Sequence, residues 1–296
     1  MLTRAWVLIK DTVEGYIEDG AMSRGAAIAY YTVFSIAPLL LIATAIAGLA
    51  FGEQAVEGAV ADQLEGMLGR QGAEAVQAMI EGAANPTSGT VATVISVVTL
   101  LLTASGVFGE LQTALNEIWK APAPQVGTIT RLVMARAAAI GLVAATGFLL
   151  LVSLVVSAGL AAVATWVGGL MPGMTQVLNL VNFAVSFLMV TLLFGAIYKI
   201  LPDRQLRWRD VAVGSAVTAM LFTLGKTLIG WYIGGTGLAS TYGAAGALMV
   251  VLVWVFYSSQ IFLLGAEFTK AWAGLKGSPE AHAAGARSEA ELPAGT

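Results

Sequence analysis

A lone lysine inside an apolar run is the residue of this sequence that most clearly invites chemistry. Lys226 stands in the run 211–233, next to Gly225 and on the same helical face as Phe222. A charge in hydrocarbon costs roughly 2.5–3.5 kcal/mol, so it is retained with compensation or for a task. One interpretation gives Lys226 an interior partner or an anionic ligand. The other lets its side chain snorkel to the outer surface, although helical side chains lean toward the N-terminus.

A second group of charges lies near the ends of apolar runs, within about one helical turn of the membrane interface. The group consists of Arg24, Glu110, Asp210 and Glu267. Charges in such places cost little, and ordinary ion pairing that fixes helix registry explains them. The alternative is that they form part of a pathway for a substrate.

Polar side chains also follow two helical stripes. Gln112 and Asn116 share a stripe beside aromatic residues, which suits either a partly wet groove or a surface helix packed into a bundle. Tyr257, Gln260 and Glu267 share one face of the last apolar run. That face predicts a polar path or, equally, hydrogen bonds between helices.

One proline and three glycines mark places where helices are expected to bend or end. Tyr31 and Ser35 precede Pro38, which lacks the N–H needed for the helical hydrogen bond and should kink the first run beside a cavity. Three glycines are expected to make a flexible outer loop between the last two runs, with a mobile gate as one role. They are Gly234, Gly235 and Gly237.

Several kinds of chemistry are absent from the sequence. It has no cysteine and a single histidine, His282, so thiolate and histidine-rich metal sites are excluded. No nucleophile or acid–base set stands out, and no basic footprint for nucleic acid is present. The sequence therefore predicts a protein that is not an enzyme, has no metal and no cofactor, and does not bind nucleic acid.

Composition requires a membrane to hold these residues. Apolar residues make up 57% of the chain and charged residues 11%, whereas soluble domains carry roughly 25% charge. Backbone amides in hydrocarbon need partners within their own segment, so the predicted fold is an all-α bundle. The apolar runs predict about six transmembrane helices, near residues 28–51, 91–107, 133–167, 177–198, 211–233 and 242–268. The third run exceeds the roughly 20 residues that a span needs, so it is either tilted or broken.

The short loops predict the orientation of the bundle. Basic residues gather in the second-to-third and fourth-to-fifth connections, and basic short loops stay in the cytoplasm. The acid-rich first loop, 52–90, is therefore periplasmic, and its helical spacing predicts two short amphipathic helices. Both termini are then cytoplasmic. Residues 1–23 are expected to be an amphipathic surface helix, 24–276 the single six-helix domain, and 277–296 a disordered tail.

Three stretches of the sequence resemble the YihY/BrkB family of bacterial inner-membrane proteins. They are RGAAIAYYTVFSIAPLLL, FGELQTALNEIW and YGAAGALMVVLVWVFYSSQIFLLGAEFT, and the LPD, WRD and GK pieces agree in order and spacing. The resemblance implies a multi-pass protein of the cytoplasmic membrane, in a family linked to virulence, serum resistance and envelope lipid handling. Members have carried the label ribonuclease BN, which this sequence does not support.

The sequence favours two functions. The first is a transporter or flippase-like handler of a lipid or another anionic amphipathic envelope component, motivated by Lys226 and the charges near span ends. The second is a scaffold without transport activity that docks envelope-assembly partners. The expected partners are membrane lipids, with envelope proteins or a second copy of the chain as alternatives.

Overall fold

The structure is a computed structural model that describes residues 2–35, 74, 106–122, 174–236 and 246–275. The regular structure of these residues is entirely α-helical, as the composition predicts. They form six helical segments longer than one residue, and residue 74 is helical as well. The segments are α1 (Leu2–Glu18), α2 (21–35), α3 (106–118), α4 (Met174–Ile200), α5 (Trp208–Thr236) and α6 (Gly246–Leu275).

Helices α4, α5 and α6 are long and apolar enough to cross a membrane. Their apolar windows cover Leu180–Ile200, Trp208–Ile233 and Leu248–Leu275. Helices α4 and α5 include the predicted runs 177–198 and 211–233, and α6 includes most of 242–268. Helix α6 continues past the predicted end at 268. Its 30 residues, at 1.5 Å each, give ~45 Å, so this helix is longer than a hydrocarbon core.

Other predicted features fall on residues outside the described ranges. These features are the spans 91–107 (apart from its last two residues) and 133–167, the outer loop 52–90 (apart from residue 74), the kink at Pro38, Gly237, and the tail 277–296. Gly234 and Gly235 do lie within the described residues, and the expectation of a loop there is wrong. Helix α5 runs through both to Thr236, because glycine is tolerated where a helix approaches its C-terminus.

A left-handed glycine separates the first two helices. Gly20 has a φ of 63°, and the amides of Ser23 and Arg24 donate to its carbonyl at 3.1 and 3.2 Å. Only glycine adopts this conformation without steric cost. Helix α1 therefore ends beside Asp19, and α2 starts immediately after the turn.

The chain divides into two compact units. Unit 1 consists of Met1–Asp19, Leu115–Thr223 and Leu264–Thr296, and unit 2 of Gly20–Ala114 and Leu224–Leu263. Each unit thus combines segments from different parts of the sequence. Helices α5 and α6 contribute one part to each unit.

Unit 1 is held together by a reciprocal contact of small residues between α5 and α6. A side chain at Gly214 would collide with Thr269, and one at Gly265 would collide with Thr218. Each threonine hydroxyl is satisfied within its own helix, by the carbonyl of Gly214 at 2.8 Å and of Gly265 at 2.6 Å. The fully buried Tyr198 then donates to the Thr218 hydroxyl at 3.1 Å. Small residues thus let two apolar helices approach closely without the hydrophobic effect.

Unit 2 also uses glycines as contact points. A side chain at Gly225 would strike Ile261 and Tyr257, so α5 and α6 touch there. The neighbouring core contains Ile229, Ile233 and Val250, with Val253 and Trp254 packed against it. The inward face of this part of α5 is therefore set by residues 225, 229 and 233.

Candidate functional site

Glu267 of α6 lies at the centre of a buried group of charges in unit 1. Its side chain is 1% exposed, and that of Asp19, at the end of α1, is 4% exposed. Two ammonium groups accompany these carboxyls, from Lys120 after α3 and Lys270 of α6. We call these four residues the charge cluster.

The cluster is unevenly paired. Lys120 Nζ lies 2.7 Å from Asp19 Oδ1, and Lys270 Nζ lies 2.9 Å from Asp19 Oδ2. Glu267 Oε2 receives only a longer contact, 3.2 Å from Lys270 Nζ. Its other oxygen, Oε1, is buried and has no hydrogen-bond partner among the described residues. Asp19 is therefore fully satisfied as an anion, whereas Glu267 is not.

The backbone of Lys120 is strained in a way that serves the cluster. The amide of Ala121 donates to the carbonyl of Asn116 at 2.8 Å and that of Lys120 to Glu117 at 3.0 Å, which is a Schellman ending for α3. Lys120 occupies the left-handed position with a φ of 46°. Glycine is usual there, and a lysine costs roughly 1–2 kcal/mol. The short ion pair with Asp19 offsets this strain.

Helix α1 faces the cluster with its polar side. Thr12, Gly15 and Asp19 are buried along one stripe. Gly15 lies directly against Glu267, since a side chain there would come within 2.5 Å of Oε2. The apolar residues of α1 point outward: Trp6, Ile9, Val13 and Ile17 are 67%, 57%, 45% and 70% exposed. A helix with its apolar face outward suits lipid and not water.

The electrostatics of the cluster follow from this geometry. Burial raises the pKa of Asp19, but hydrogen bonds with Glu267 and Lys120 and the charge of Lys270 outweigh it and hold the pKa below its ordinary value. Burial lowers the pKa of Lys120, but the contacts with Asp19 and Glu117 outweigh it and raise the pKa above its ordinary value. Asp19 and Lys120 are therefore both charged at neutral pH.

Asn116 fastens α3 to the connection between α4 and α5. Its amide nitrogen donates to Asp203 Oδ2 at 2.8 Å, and its amide oxygen accepts from the Asp203 backbone N–H at 2.8 Å. Nearby, Arg204 donates to the Trp119 carbonyl at 2.6 Å. This two-sided bond gives Asn116 a structural role in unit 1. Gln112, expected on the same stripe, is half-buried and belongs to unit 2.

Of the charges predicted near span ends, Arg24 and Glu110 form a pair within unit 2. Their side chains are each 25% exposed and 3.6 Å apart. Glu267 belongs instead to the charge cluster of unit 1. Asp210 is buried in the first turn of α5, where a negative charge complements the helix dipole.

The remaining polar candidates lie in unit 2. The Gln260 amide donates to the Met22 carbonyl at 3.3 Å and lies against Gly25. Tyr31 lies with its ring against Gly106, and the buried Ser35 donates to the Thr32 carbonyl at 3.1 Å. Tyr257 packs against Gly225. These contacts join α2, α3, α5 and α6 within the unit.

Lys226 does not have the interior position that the sequence analysis favoured. Its side chain is exposed, and no hydrogen bond or ion pair to it is found within the described ranges. The reason is helical geometry: successive side chains point about 100° apart, so the inward Gly225, which lies against Tyr257, directs the next side chain away from that contact. Leu224 and Leu228 are 55% and 62% exposed on another face of the same helix. The ammonium thus lies on the surface of an apolar helix.

Sequence reasoning missed Asp19, Lys120 and Lys270 as members of the site. Lys270 had a readable signal, because it stands three residues after Glu267 on the same helix. Asp19 and Lys120 had none, since they are 101 residues apart and meet only through the fold.

Comparison with known proteins places these observations in a family. A family model described as virulence factor BrkB matches residues 12–289. A UPF0761 membrane protein of Alcanivorax borkumensis is 25% identical over 268 residues, or 88% of this chain and 58% of that protein. One of Pseudomonas aeruginosa is 27% identical over 260 residues, or 85% and 59%. One of Glaesserella parasuis is 36% identical over 85 residues, or 28% and 30%.

The chain spans less than two thirds of the length of these relatives. No solved structure matches it.

Proposed function

The chain belongs to the virulence factor BrkB family of membrane proteins, and from this premise we propose that it moves an anionic lipid, or a similar amphipathic envelope component, between the leaflets of the bacterial inner membrane. The proposal includes six spans with both termini in the cytoplasm. It locates the contact with the lipid headgroup at Lys226 on the outer surface of α5.

The observation that carries the proposal is the exposed ammonium of Lys226 on an apolar helix. It lies within the apolar segment Trp208–Ile233 of α5. Leu224, Leu228 and Trp231 of the same helix are also exposed, at 55%, 62% and 86%, on another face of α5. Lipid is the surrounding that suits such exposed apolar side chains, and Lys226 is a cation on this helix.

Such a cation needs an anion or water to meet it. In hydrocarbon its cost is roughly 2.5–3.5 kcal/mol on insertion scales. A phosphate or carboxylate headgroup drawn to Lys226 removes much of this cost, and it stabilises a headgroup at a depth where lipid alone excludes it. Lowering that barrier is what leaflet exchange requires.

Helix α1 is a second feature that supports a close association of the protein with lipid. Its outward apolar residues, with Trp6 and Ile17 most exposed, fit a helix that lies at the headgroup boundary. Its buried polar side contacts the charge cluster. Movement of α1 in the headgroup layer would therefore be transmitted to Glu267.

Leaflet exchange in reconstituted vesicles tests the proposal. Purified protein is inserted into vesicles with a fluorescent anionic phospholipid or a fluorescent zwitterionic one, and the label accessible to an external quencher is followed over time. We expect wild-type protein to accelerate exchange of the anionic lipid over empty vesicles. Lys226→Met should reduce that acceleration by about tenfold or more, because a charge-assisted contact is worth roughly 1.5–3 kcal/mol.

Matched variants separate charge from general damage. Lys226→Arg keeps the charge and should retain most of the activity. Lys10→Met removes an exposed lysine of α1 that pairs with Glu14, and its exchange rate should equal that of wild type. Exchange by wild type no faster than in empty vesicles, or equal rates for wild type and Lys226→Met, overturns the proposal. The scaffold function would then be the better account.

A further inference from the structure

The charge cluster contains more carboxyl groups than its geometry can satisfy as anions. From α1, Asp19 and the backbone at Gly15 face Glu267; from α6, Lys270 does so; and Lys120, after α3, reaches the cluster through Asp19. Asp19 accepts one ammonium on each oxygen. Glu267 shares Lys270 with Asp19 and keeps Oε1 without a partner among the described residues.

The two lysines and the buried glutamate differ in their access to water. The ammonium groups of Lys120 and Lys270 are 31% and 24% exposed, so water solvates them in part. The Glu267 side chain is 1% exposed, so a negative charge on Oε1 would have neither solvent nor a donor from the part of the chain that the structure describes. A neutral carboxylic acid in the same place loses far less on burial than a carboxylate does.

Contact between the two carboxyls leads to the same conclusion. The carboxyl groups of Asp19 and Glu267 lie close enough to influence each other's charge. Two carboxylates cannot hydrogen-bond to each other, because neither has a hydrogen to donate, and like charges at one site favour a proton on one of them. Asp19, with both oxygens held by ammonium groups, is the member that keeps the charge.

We propose that Glu267 is a proton-binding site covered by α1, with the proton held on Glu267 and the charge on Asp19. When α1 is seated, the glutamic acid is neutral and its O–H faces the Asp19 carboxylate. When α1 lifts, water enters, the O–H bond breaks, the proton passes to water, and Glu267 becomes a carboxylate. Protonation and the seated position of α1 thus favour each other.

Gly15 makes this cover possible. A side chain at that position would lie within 2.5 Å of Glu267 Oε2, so any larger residue displaces either the carboxyl group or α1 from this contact. The proposal does not depend on lipid movement, because the proton is bound by the protein at rest. Its failure and that of the proposed function are therefore separable.

Infrared spectroscopy of the full-length protein in lipid nanodiscs tests the proposal directly. A protonated carboxylic acid has a carbonyl stretch that a carboxylate lacks. At neutral pH we expect this band in wild-type protein and its loss in Glu267→Gln. The control Glu110→Gln removes the quarter-exposed carboxyl that pairs with Arg24, and the band should remain.

Two further measurements keep the outcome decisive if Glu267→Gln folds poorly. Labelling glutamate with carbon-13 should shift the band in wild-type protein, which assigns it to glutamate without any substitution. Gly15→Ala should weaken the band at neutral pH by at least half, whereas Gly109→Ala, at a position with open space, should leave it intact. A wild-type spectrum without the band, or a band that survives in folded Glu267→Gln, overturns the proposal.

Discussion

The two compact units each contain paired charges, but the pairs differ in their access to water. In unit 1, the carboxyls of Asp19 and Glu267 are almost fully buried and their contacts with lysine are 2.7–3.2 Å long. In unit 2, Arg24 and Glu110 are each a quarter exposed and 3.6 Å apart. The cluster in unit 1 holds a proton on Glu267 and positions α1 over it. The pair in unit 2 only aligns α2 with α3.

The difference comes from what lies over each group. Helix α1 covers the charge cluster with Gly15, and no side chain intervenes. The Arg24–Glu110 pair remains open enough for water to screen it. Burial, and not the presence of opposite charges, therefore decides which charged group carries a function.

The largest effect should follow loss of the Asp19 charge. Asp19→Asn removes the anion that two ammonium groups share, and we expect a loss of about 3 kcal/mol in the free energy of unfolding, the lower end of the range for breaking a buried ion pair. The lower end applies because both lysines retain some water. Asp11→Asn, on the exposed side of α1, should change stability by less than about 0.5 kcal/mol.

Denaturant unfolding in detergent micelles, followed by tryptophan fluorescence, measures both variants. If Asp19→Asn lowered the free energy of unfolding no more than Asp11→Asn does, the charge cluster would not stabilise the protein and the contrast between the units would be wrong.

Acid should lower the free energy of unfolding by less than the Asp19→Asn substitution does. The pKa of Asp19 is held below its ordinary value of 3.8, so its contribution to stability is fully present above that pH and is lost as pH falls through the lower native pKa. Lys120 has a raised pKa, so its contribution is present below its ordinary value of 10.5 and is lost only at higher pH. The difference in unfolding free energy between wild type and Asp19→Asn should stay constant between these limits.

The same measurement at a series of pH values checks this. The difference should shrink below pH 3.8. A difference that grows on acidification would contradict the ionised state of Asp19.

The smallest effect is expected in unit 2. Arg24→Met should cost less than about 1 kcal/mol, because ion pairs that water reaches contribute little after solvent screening. Glu110→Gln, which removes the other member, should cost a similar amount. A loss as large as that for Asp19→Asn would show that the pair is as important as the buried cluster.

The sequence predicted the elements of this fold better than its contacts. Apolar runs located α4 and α5 because hydrophobicity and length are local properties. Charge in the last run also identified Glu267 as a candidate. The contact of Asp19 with the same cluster could not be predicted. Asp19 lies 251 residues from Lys270 in the chain, and helical spacing within one segment holds no information about such a contact.

The position of Lys226 shows the same limit. Its presence in an apolar run was visible, but whether it faced inward depended on the contact of Gly225 with Tyr257 and Ile261 in another helix. Gly15 was likewise unremarkable in the sequence, although it sets the approach of α1 to Glu267. Residues with no side chain become informative only when their neighbours are known.

A pair of double-mutant cycles tests the contrast between the units most directly. One cycle combines Asp19→Asn with Lys270→Met, and the other combines Arg24→Met with Glu110→Gln, with unfolding free energies measured under one set of conditions. We predict a coupling energy of about 1.5–3 kcal/mol in the buried cluster and below about 1 kcal/mol in the partly exposed Arg24–Glu110 pair. Equal coupling in the two cycles, or a larger value for Arg24 and Glu110, would contradict the account.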